Sequence, residues 1–111
     1  MELLPKEIAD TIPKLYEQED KGEEAIVHVK LFDPCSGWTW FITEHDPQEQ
    51  ICFGLVRGHE TELGYFSLKE LQEYSGPLRI GIERDIWFKP CSLKEVKQRL
   101  EGNSGCESRT V

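Results

Sequence analysis

The stretch AIVHVKLFDPCSGWTWFITEHDPQEQICFGLVR, residues 25–57, decides the fold, because it holds three runs of β-forming residues separated by turn residues. The runs are AIVHVKLF (25–32), WTWFIT (38–43) and ICFGLVR (51–57). The connections contain Asp33-Pro34 and Asp46-Pro47, which are typical of turns. Because short connections join antiparallel neighbours, the stretch predicts an antiparallel meander.

The residues before this meander have the spacing of a short amphipathic helix. Apolar side chains recur at Leu4, Ile8 and Ile12, and Pro13 should end or kink the helix. The acidic run EQEDKGEE (17–24) is polar and contains a glycine, so it predicts an exposed connection whose charges are mainly solvated.

After the meander the sequence predicts further strands and two capped helices. ELGYF (62–66) and residues 85–89 have the composition of short strands. The tetrapeptide SLKE occurs at 67–70 and again at 92–95, and its serine and glutamate form a capping box. Two helices should therefore begin at these serines.

The chain length fits one domain, since 111 residues can bury a single core. We predict one small α+β domain over residues 1–101, with an antiparallel sheet of about four or five strands, an N-terminal helix and two short capped helices. The small, polar residues 102–111 predict a flexible C-terminal tail.

The charge of the chain limits its partners. Thirteen Lys and Arg against twenty-one Asp and Glu give a net charge of -8, which repels phosphate backbones, so no direct nucleic-acid binding is expected. The chain has no apolar run of about 20 residues and begins without a signal-peptide pattern. We therefore expect a cytoplasmic protein with no membrane contact, whose four cysteines are free thiols.

Four segments carry a family resemblance. The segments are, in order, LLPKEI…PKLYEQE, VKLFDPCSGWTWFITEHD, FGLVRGHETELGYFSLKEL and IERDIWFKP…SLKEV. They cover most of residues 3–96. Together they resemble an uncharacterised bacterial family, domain of unknown function 2958. The resemblance implies a setting in mobile genetic elements, beside antirestriction and DNA-processing genes, and brings no activity, cofactor or catalytic residue. Cys35 and Gly37 depart from the family pattern, which makes Cys35 a poor candidate nucleophile.

The aromatic candidates for binding are Trp38 and Trp40. Two residues apart on a strand, they should point to the same face. Paired indoles stack ligand rings but serve equally in core packing, which we favour. An exposed ring would instead anchor a binding surface.

The acid–histidine–acid cluster around Glu44 is a weak candidate for a metal site. Strand alternation puts Glu44 and Asp46 on one side and His45 on the other. The H-x-H and H-E-x-x-H patterns of known metal sites are absent from the sequence. We therefore predict no metal and no cofactor.

The charged residues Glu83, Arg84 and Asp85 lie within an apolar stretch. Charges in such a stretch need partners, so a structural ion pair is the favoured interpretation. In the alternative, Arg84 grips an anionic group that Glu83 or Asp85 orients, in a strand-end cluster of Glu44, Arg84 and Asp85 near Trp40 and Tyr65. No catalytic residue is predicted, because the sequence shows neither a serine–histidine–acid arrangement nor a phosphate-binding glycine loop.

Two functions remain open on the sequence alone. The first is a small acidic protein-interaction module, an accessory of mobile elements of the antirestriction or counter-defence type, which binds a protein partner through its acidic face and exposed aromatics. The second is a small-molecule-binding protein or minor enzyme that uses the strand-end Glu/Arg/Asp cluster. The non-enzymatic function is preferred.

Overall fold

A computed structural model describes residues 2–74 and 80–106 of the chain. The helices are α1 (Lys6–Ala9), α2 (Leu68–Glu73) and α3 (Leu93–Cys106). The strands are β1 (Ile26–Val27), β2 (Val29–Phe32), β3 (Thr39–Asp46), β4 (Ile51–Arg57), β5 (Thr61–Ser67), β6 (Glu83–Arg84) and β7 (Cys91–Ser92). A 3-10 segment, Glu19–Glu24, is kinked at Gly22. The fold is α+β, as the sequence predicts.

A five-stranded antiparallel sheet forms the body of the domain, with the strand order β5-β4-β3-β2-β6. The predicted meander is its centre. The predicted first strand, however, divides at His28, whose N–H donates to the carbonyl of Ile42 at 2.9 Å. Val29 pairs with Ile42 in the main sheet, whereas Val27 pairs with Cys91 in a separate two-stranded sheet of β1 and β7.

Both faces of the main sheet are covered by apolar side chains. One cluster, beneath the N-terminal segment and α2, comprises Leu3, Leu4, Ile12, Val29, Leu31, Trp40, Ile42, Cys52, Leu68 and Ile82. The other, beneath α3, comprises Ala25, Val27, Phe41, Leu55, Leu93 and Val96. Because successive strand residues point to opposite faces, Trp40 and Phe41 belong to different clusters.

The predicted helix starts are confirmed. The Ser67 hydroxyl accepts a hydrogen bond from the N–H of Glu70 at 3.1 Å, and the Ser92 hydroxyl accepts one from the N–H of Glu95 at 3.2 Å. The helix α3 continues to Cys106, into the range predicted as a tail. Residues 107–111 lie outside the described residues. Among the described helices, none has the length and apolar content needed to cross a bilayer.

The prediction of a strand over residues 85–89 is wrong. The strand β6 ends at Arg84, and the chain then turns, because the Asp85 side chain accepts a hydrogen bond from the N–H of Trp87 at 2.9 Å. The N–H of Phe88 also donates to the carbonyl of Asp85, at 3.2 Å. An aspartate bonded to the backbone two residues on favours a turn over an extended strand.

Candidate functional site

The candidate residues form three groups that do not converge on one site. They are the Trp38 and Trp40 pair, the Glu44 and Tyr65 pair, and the segment Glu83, Arg84 and Asp85. Glu44 on β3 is aligned through Phe53 with Tyr65 on the edge strand β5. Arg84 lies on β6, the opposite edge of the sheet. The strand-end cluster of Glu44, Arg84 and Asp85 is therefore not assembled.

The tryptophan pair packs the domain and leaves one cleft. Trp40 is buried and Trp38 half-buried, with ring centroids 6.2 Å apart. The ring of Trp38 lies so close to Gly58 that a Cβ there would be 2.5 Å from it, and it contacts His59 edge-on at 5.5 Å. Both indoles line a cleft of about 260 Å³. Trp38 is thus mainly a packing residue.

Asp33 builds the hairpin turn before the tryptophans. Its carboxylate accepts hydrogen bonds from the N–H of Cys35 at 2.9 Å and from the hydroxyl of Ser36 at 2.8 Å. Burial would by itself raise the pKa of Asp33, but these hydrogen bonds outweigh it and lower the pKa. Asp33 is therefore an ionised turn former.

The charges of Arg84 and Asp85 have structural partners. Arg84 Nη1 donates to the carbonyl oxygens of Glu2 at 2.9 Å and Leu3 at 2.8 Å, which fastens the N-terminal segment to β6. The Asp85 carboxylate lies 3.5 Å from Lys30 Nζ. Glu83, half-buried, is aligned with Phe32 in the register of β6 and β2. These contacts explain the charges without a ligand.

An exposed indole that the sequence analysis did not single out lies next to this segment. Trp87 is 84% exposed and Ile86 is also exposed, in the turn that follows β6. The sequence feature that indicates this turn is the position of Asp85 two residues before Trp87. At that spacing the aspartate side chain can accept a hydrogen bond from the backbone N–H and turn the chain. No side chain of the described residues covers the Trp87 ring, and the described surface does not indicate a partner for it.

The Glu44 and Tyr65 pair belongs to a surface with the features of a built site. We call Tyr16, Leu63 and Tyr65 the tyrosine surface; Tyr16 is 62% and Tyr65 56% exposed. Tyr65 packs on Phe53 with ring centroids 4.8 Å apart. A pocket of about 160 Å³ lies among these side chains, and Glu44 forms part of its wall.

A β-bulge brings Glu44 to this surface. The register of β3 and β4 shifts between Ile42 and Glu44, which leaves Thr43 as the extra residue. Without the bulge, Glu44 would share a face with Ile42. With it, Glu44 is aligned with Phe53, whose side chain is on the tyrosine surface.

The backbone of Tyr16 is held in an unfavourable conformation. Its φ is 74°, in the left-handed region, which costs a residue with a Cβ about 1–2 kcal/mol. Glu44, only 4% exposed, compensates: one carboxylate oxygen accepts from the N–H of Tyr16 at 2.9 Å and the other from the N–H of Gln18 at 2.8 Å. A buried side chain thus fixes an exposed tyrosine.

Gln18 completes this framework. Its side-chain amide is buried and donates to the carbonyls of Ile26 at 3.0 Å and Thr43 at 2.8 Å, while its oxygen accepts from the N–H of Ile26 at 2.7 Å. Every hydrogen-bonding atom of the amide therefore has a partner. The loop that carries Tyr16 is joined to both β1 and β3.

The tyrosine surface is bordered by acidic groups. Partial desolvation, the neighbouring side chain of Tyr16, and the carboxylates of Glu44 and Glu19 raise the pKa of Tyr65, so its hydroxyl stays protonated. Glu19 and Asp20 are exposed in the 3-10 segment, and within the described chain neither forms an ion pair. The result is an aromatic surface with a negative border.

Sequence reasoning identified Glu44 and Tyr65 but missed Tyr16, Gln18 and Leu63. No local pattern marks Tyr16, because its conformation depends on a carboxylate 28 residues away in the chain. The acidic run was predicted to be mainly solvated, yet it contains the buried Gln18. Only the pairing of this loop with β3 reveals the site.

Metal binding finds no support in the described part of the chain. No three His, Cys, Asp or Glu side chains converge there. His45 is buried, and neither ring nitrogen has a hydrogen-bond partner among the described residues. Cys35, Cys52 and Cys91 are free thiols.

Comparison with known proteins gives a family without an assigned activity. The family model described as a protein of unknown function, DUF2958, matches residues 3–97. No curated protein and no solved structure matches the chain.

Proposed function

Because the chain belongs to the DUF2958 family, whose description assigns no activity, we propose a function from its surface: a protein-interaction module that binds a basic segment of a partner protein. The binding surface is the tyrosine surface together with the carboxylates of Glu19 and Asp20. Exposed tyrosines supply large contact area with few rotatable bonds, which suits the centre of a binding site.

One observation carries the proposal, the strained presentation of Tyr16. A residue in a sparsely populated conformation persists only where its surroundings impose it, and such residues cluster at functional sites. The buried carboxylate of Glu44 imposes it on Tyr16, whose side chain nevertheless projects to solvent. The hydrogen bonds of Glu44 and Gln18 anchor the loop through backbone groups and do not require an aromatic ring at position 16, so the exposed ring of Tyr16 supports a binding role.

Charge supports the choice of a basic partner. The net charge is -8, and the field of an acidic surface raises the rate of encounter with a basic one. Glu23 forms an ion pair with Lys97 on α3, with 3.1 Å between the charged atoms. Glu19 lines the same pocket as Tyr65, and Asp20 follows it in the exposed 3-10 segment, so we assign these two carboxylates to the binding surface.

The proposal extends to location and setting. We propose that the protein acts in the cytoplasm as an accessory of mobile genetic elements, of the antirestriction or counter-defence type. The resemblance of the four sequence segments supports the setting, and the acidic composition is compatible with binding a protein that itself binds nucleic acid.

Capture of the partner from an extract of the cells that make the protein tests this proposal. The wild type is compared with a Glu19→Lys, Asp20→Lys variant and with a Tyr65→Ala variant, by quantitative mass spectrometry. A partner held by the wild type and lost in both variants is the expected result. A control variant, Glu7→Lys with Glu73→Lys, has the same net charge change at exposed positions elsewhere and should keep the partner.

Retention of the partner by all variants would contradict the proposed surface. Loss of the partner in the control as well would mean that overall charge, rather than this surface, controls binding. Circular dichroism spectra of each variant must match the wild type for either conclusion.

The second candidate function is small-molecule binding or a minor enzymatic activity at the β6 edge. It is favoured by an open depression of about 380 Å³, lined by Lys30, Phe32 and residues 83–87. The exposed indole of Trp87 and the side chain of Lys30 both line this depression, and an aromatic ring with an ammonium group suits a planar anion. A ligand that raises the melting temperature of the wild type and not of Trp87→Ala would support this function.

A further inference from the structure

The strand β5 is an open edge of the main sheet. It pairs with β4 on one side, and no strand in residues 2–74 or 80–106 lies along its other side. It has seven residues, whereas β6 at the other edge has two. Long open edges are templates for a further strand, and proteins usually shorten or block them. β5 is therefore the place where an extended chain could be added.

Hydrogen bonds at both ends of the β4–β5 ladder determine which backbone groups face inward. The N–H of Gly58 donates to the carbonyl of Glu60 at 3.0 Å at one end, and the N–H of Leu68 donates to the carbonyl of Gln50 at 2.8 Å at the other. The register between these bonds is continuous. Bonded and non-bonded pairs alternate in an antiparallel ladder, so the even-numbered residues of β5 bond to β4.

The odd-numbered residues Thr61, Leu63 and Tyr65 consequently turn their N–H and C=O groups away from β4. These outward groups have no hydrogen-bond partner among the described residues. Leu63 and Tyr65 also belong to the tyrosine surface. A strand that paired with these groups would lie directly beside the exposed rings.

Most of the devices that protect an edge are absent from β5. Its sequence TELGYFS contains neither lysine nor proline, and Glu62 is its one charged residue. Gly64 lies at its centre, and a Cβ there would have nothing within 4 Å. The sheet face on that side of β5 is therefore uncovered at Gly64.

From this geometry we infer that β5 accepts an extended basic segment of a partner protein as an additional strand of the main sheet. The inference rests on the proposed function, because it specifies how the partner reaches the tyrosine surface. Main-chain hydrogen bonds to Thr61, Leu63 and Tyr65 provide affinity, and alternate side chains of the added strand contact the tyrosine surface.

Charge selects this occupant over a second copy of the chain. Glu62 lies on the edge strand and Glu60 in the turn before it, and Glu19 of the 3-10 segment lines the same pocket as Tyr65. A second copy, with its net charge of -8, would place the same carboxylates against them. Lysine or arginine side chains would instead neutralise them.

Synthetic peptides of the length of β5 test the inference. The first alternates lysine with valine, the second alternates glutamate with valine, and the third is the lysine peptide with every second amide N-methylated. N-methylation keeps the charge and the side chains but removes the donors of one edge. Binding is measured by fluorescence anisotropy, and hydrogen exchange by NMR reports the N–H groups of Leu63 and Tyr65.

We expect the lysine peptide to bind and the glutamate peptide not to bind. N-methylation should weaken binding at least about tenfold, since several hydrogen bonds are lost. The lysine peptide should also slow the exchange of the Leu63 and Tyr65 N–H groups.

A pair of variants tests the same edge in the protein. Leu63→Pro removes an outward N–H that the β4–β5 ladder does not use, so the fold should survive. Leu63→Ala removes a comparable apolar side chain and keeps the N–H. Peptide binding should be lost in Leu63→Pro, whereas Leu63→Ala, which loses only the side-chain contact and keeps the N–H, should bind at least about tenfold more tightly than Leu63→Pro. If Leu63→Pro does not fold, the N-methylated peptide still decides the question.

Three results would overturn the inference. They are no binding of the lysine peptide, equal binding of the lysine peptide and its N-methylated form, and a dimer in sedimentation experiments that Leu63→Pro abolishes. If the lysine peptide and its N-methylated form bind the wild type equally and both fail to bind the Glu19→Lys, Asp20→Lys variant, that result would support the acidic interaction surface and reject strand addition. Failure of partner capture together with failure of peptide binding would reject both proposals.

Discussion

At the scale of the residue, Glu44 shows how a buried carboxylate can be accommodated without a cation. Its two oxygens accept the N–H groups of Tyr16 and Gln18. Hydrogen bonds to backbone donors offset the loss of hydration, which would otherwise make burial of the charge very unfavourable. Glu44 is therefore a positioning residue for the loop that presents Tyr16.

Replacement of Glu44 by alanine should lower the free energy of unfolding by about 2–4 kcal/mol, because two backbone N–H groups lose their acceptor. Urea denaturation followed by tryptophan fluorescence measures the change. Glu44→Gln is the matched control, since its amide retains one acceptor oxygen and should be less destabilising. A loss below about 0.5 kcal/mol for Glu44→Ala would show that water replaces the carboxylate.

His45 is the second residue with a consequence for stability. It is buried opposite Cys52, and burial raises the pKa of that thiol to about 12. Burial lowers the pKa of His45 below its usual 6.5, while the nearby Asp46 opposes the shift. The neutral imidazole is thus the form compatible with the fold.

Stability should therefore fall when the pH drops below about 6.5, the usual histidine pKa. The unfolded chain then binds a proton that the folded His45 does not, so the loss continues until the pH reaches the lowered folded pKa, with a slope of up to about 1.4 kcal/mol per pH unit. Urea midpoints between about pH 8 and about pH 5 measure it. The variant His45→Leu should have a flatter profile, and an identical slope in both proteins would assign the effect to other groups, such as His28, whose pKa burial also lowers.

At the scale of the element, the β3–β4 pair depends on a close approach of two backbones. Gly54 is aligned with Ile42 next to the bulge, and a Cβ on it would collide with the carbonyl group of Phe41. Thr43, the extra residue, donates its hydroxyl to the carbonyl of Phe53 at 3.1 Å. The glycine and the bulge together allow β3 to carry Glu44 to the tyrosine surface.

Gly54→Ala should destabilise the protein by more than about 3 kcal/mol, since the carbonyl it meets belongs to a central strand and has no room to move. Gly64→Ala is a control on the adjacent strand, directly aligned with Gly54 and with open space around its Cβ. It should change stability by less than about 1 kcal/mol. Equal effects in thermal denaturation would mean that glycine content, rather than the contact with Phe41, controls stability.

At the scale of the whole molecule, two apolar clusters lie on the two faces of one sheet. The helix α3 covers one of them, and the N-terminal segment with α2 covers the other. The N-terminal segment contributes the fully buried Leu3, although it has only the single turn of α1 as regular structure. Arg84 fastens this segment to the far edge of the sheet through the carbonyls of Glu2 and Leu3.

Arg84→Ala should accordingly lower the free energy of unfolding by about 1–3 kcal/mol and increase proteolysis near the N-terminus, because the carbonyls of Glu2 and Leu3 lose a charged donor. Thermal denaturation and limited proteolysis with mass spectrometry measure both effects. Arg84→Lys keeps a positive charge but loses the planar guanidinium donors. Its stability should lie between those of the wild type and Arg84→Ala. An unchanged N-terminus in Arg84→Ala would show that the packing of Leu3 alone holds the segment.

Local sequence signals predicted most of the elements. The alternating β-formers, the turn dipeptides and the two SLKE capping boxes act over a few residues, so they could be read without the fold. The errors have equally physical causes. The first strand divides at His28 because its two halves pair with different partners, and residues 85–88 turn because Asp85 bonds to the backbone two residues on.

The sequence by itself determined the α+β class, the antiparallel order of the central strands, the helix starts and the acidic charge, since each depends on composition or on contacts between near neighbours. The tertiary structure alone decided the candidate site. A bulge at Thr43 turns Glu44 to the other face, where it meets a loop far away in the chain and holds Tyr16 in its strained conformation. Such a site depends on register and on long-range hydrogen bonds, and neither is encoded in a local pattern.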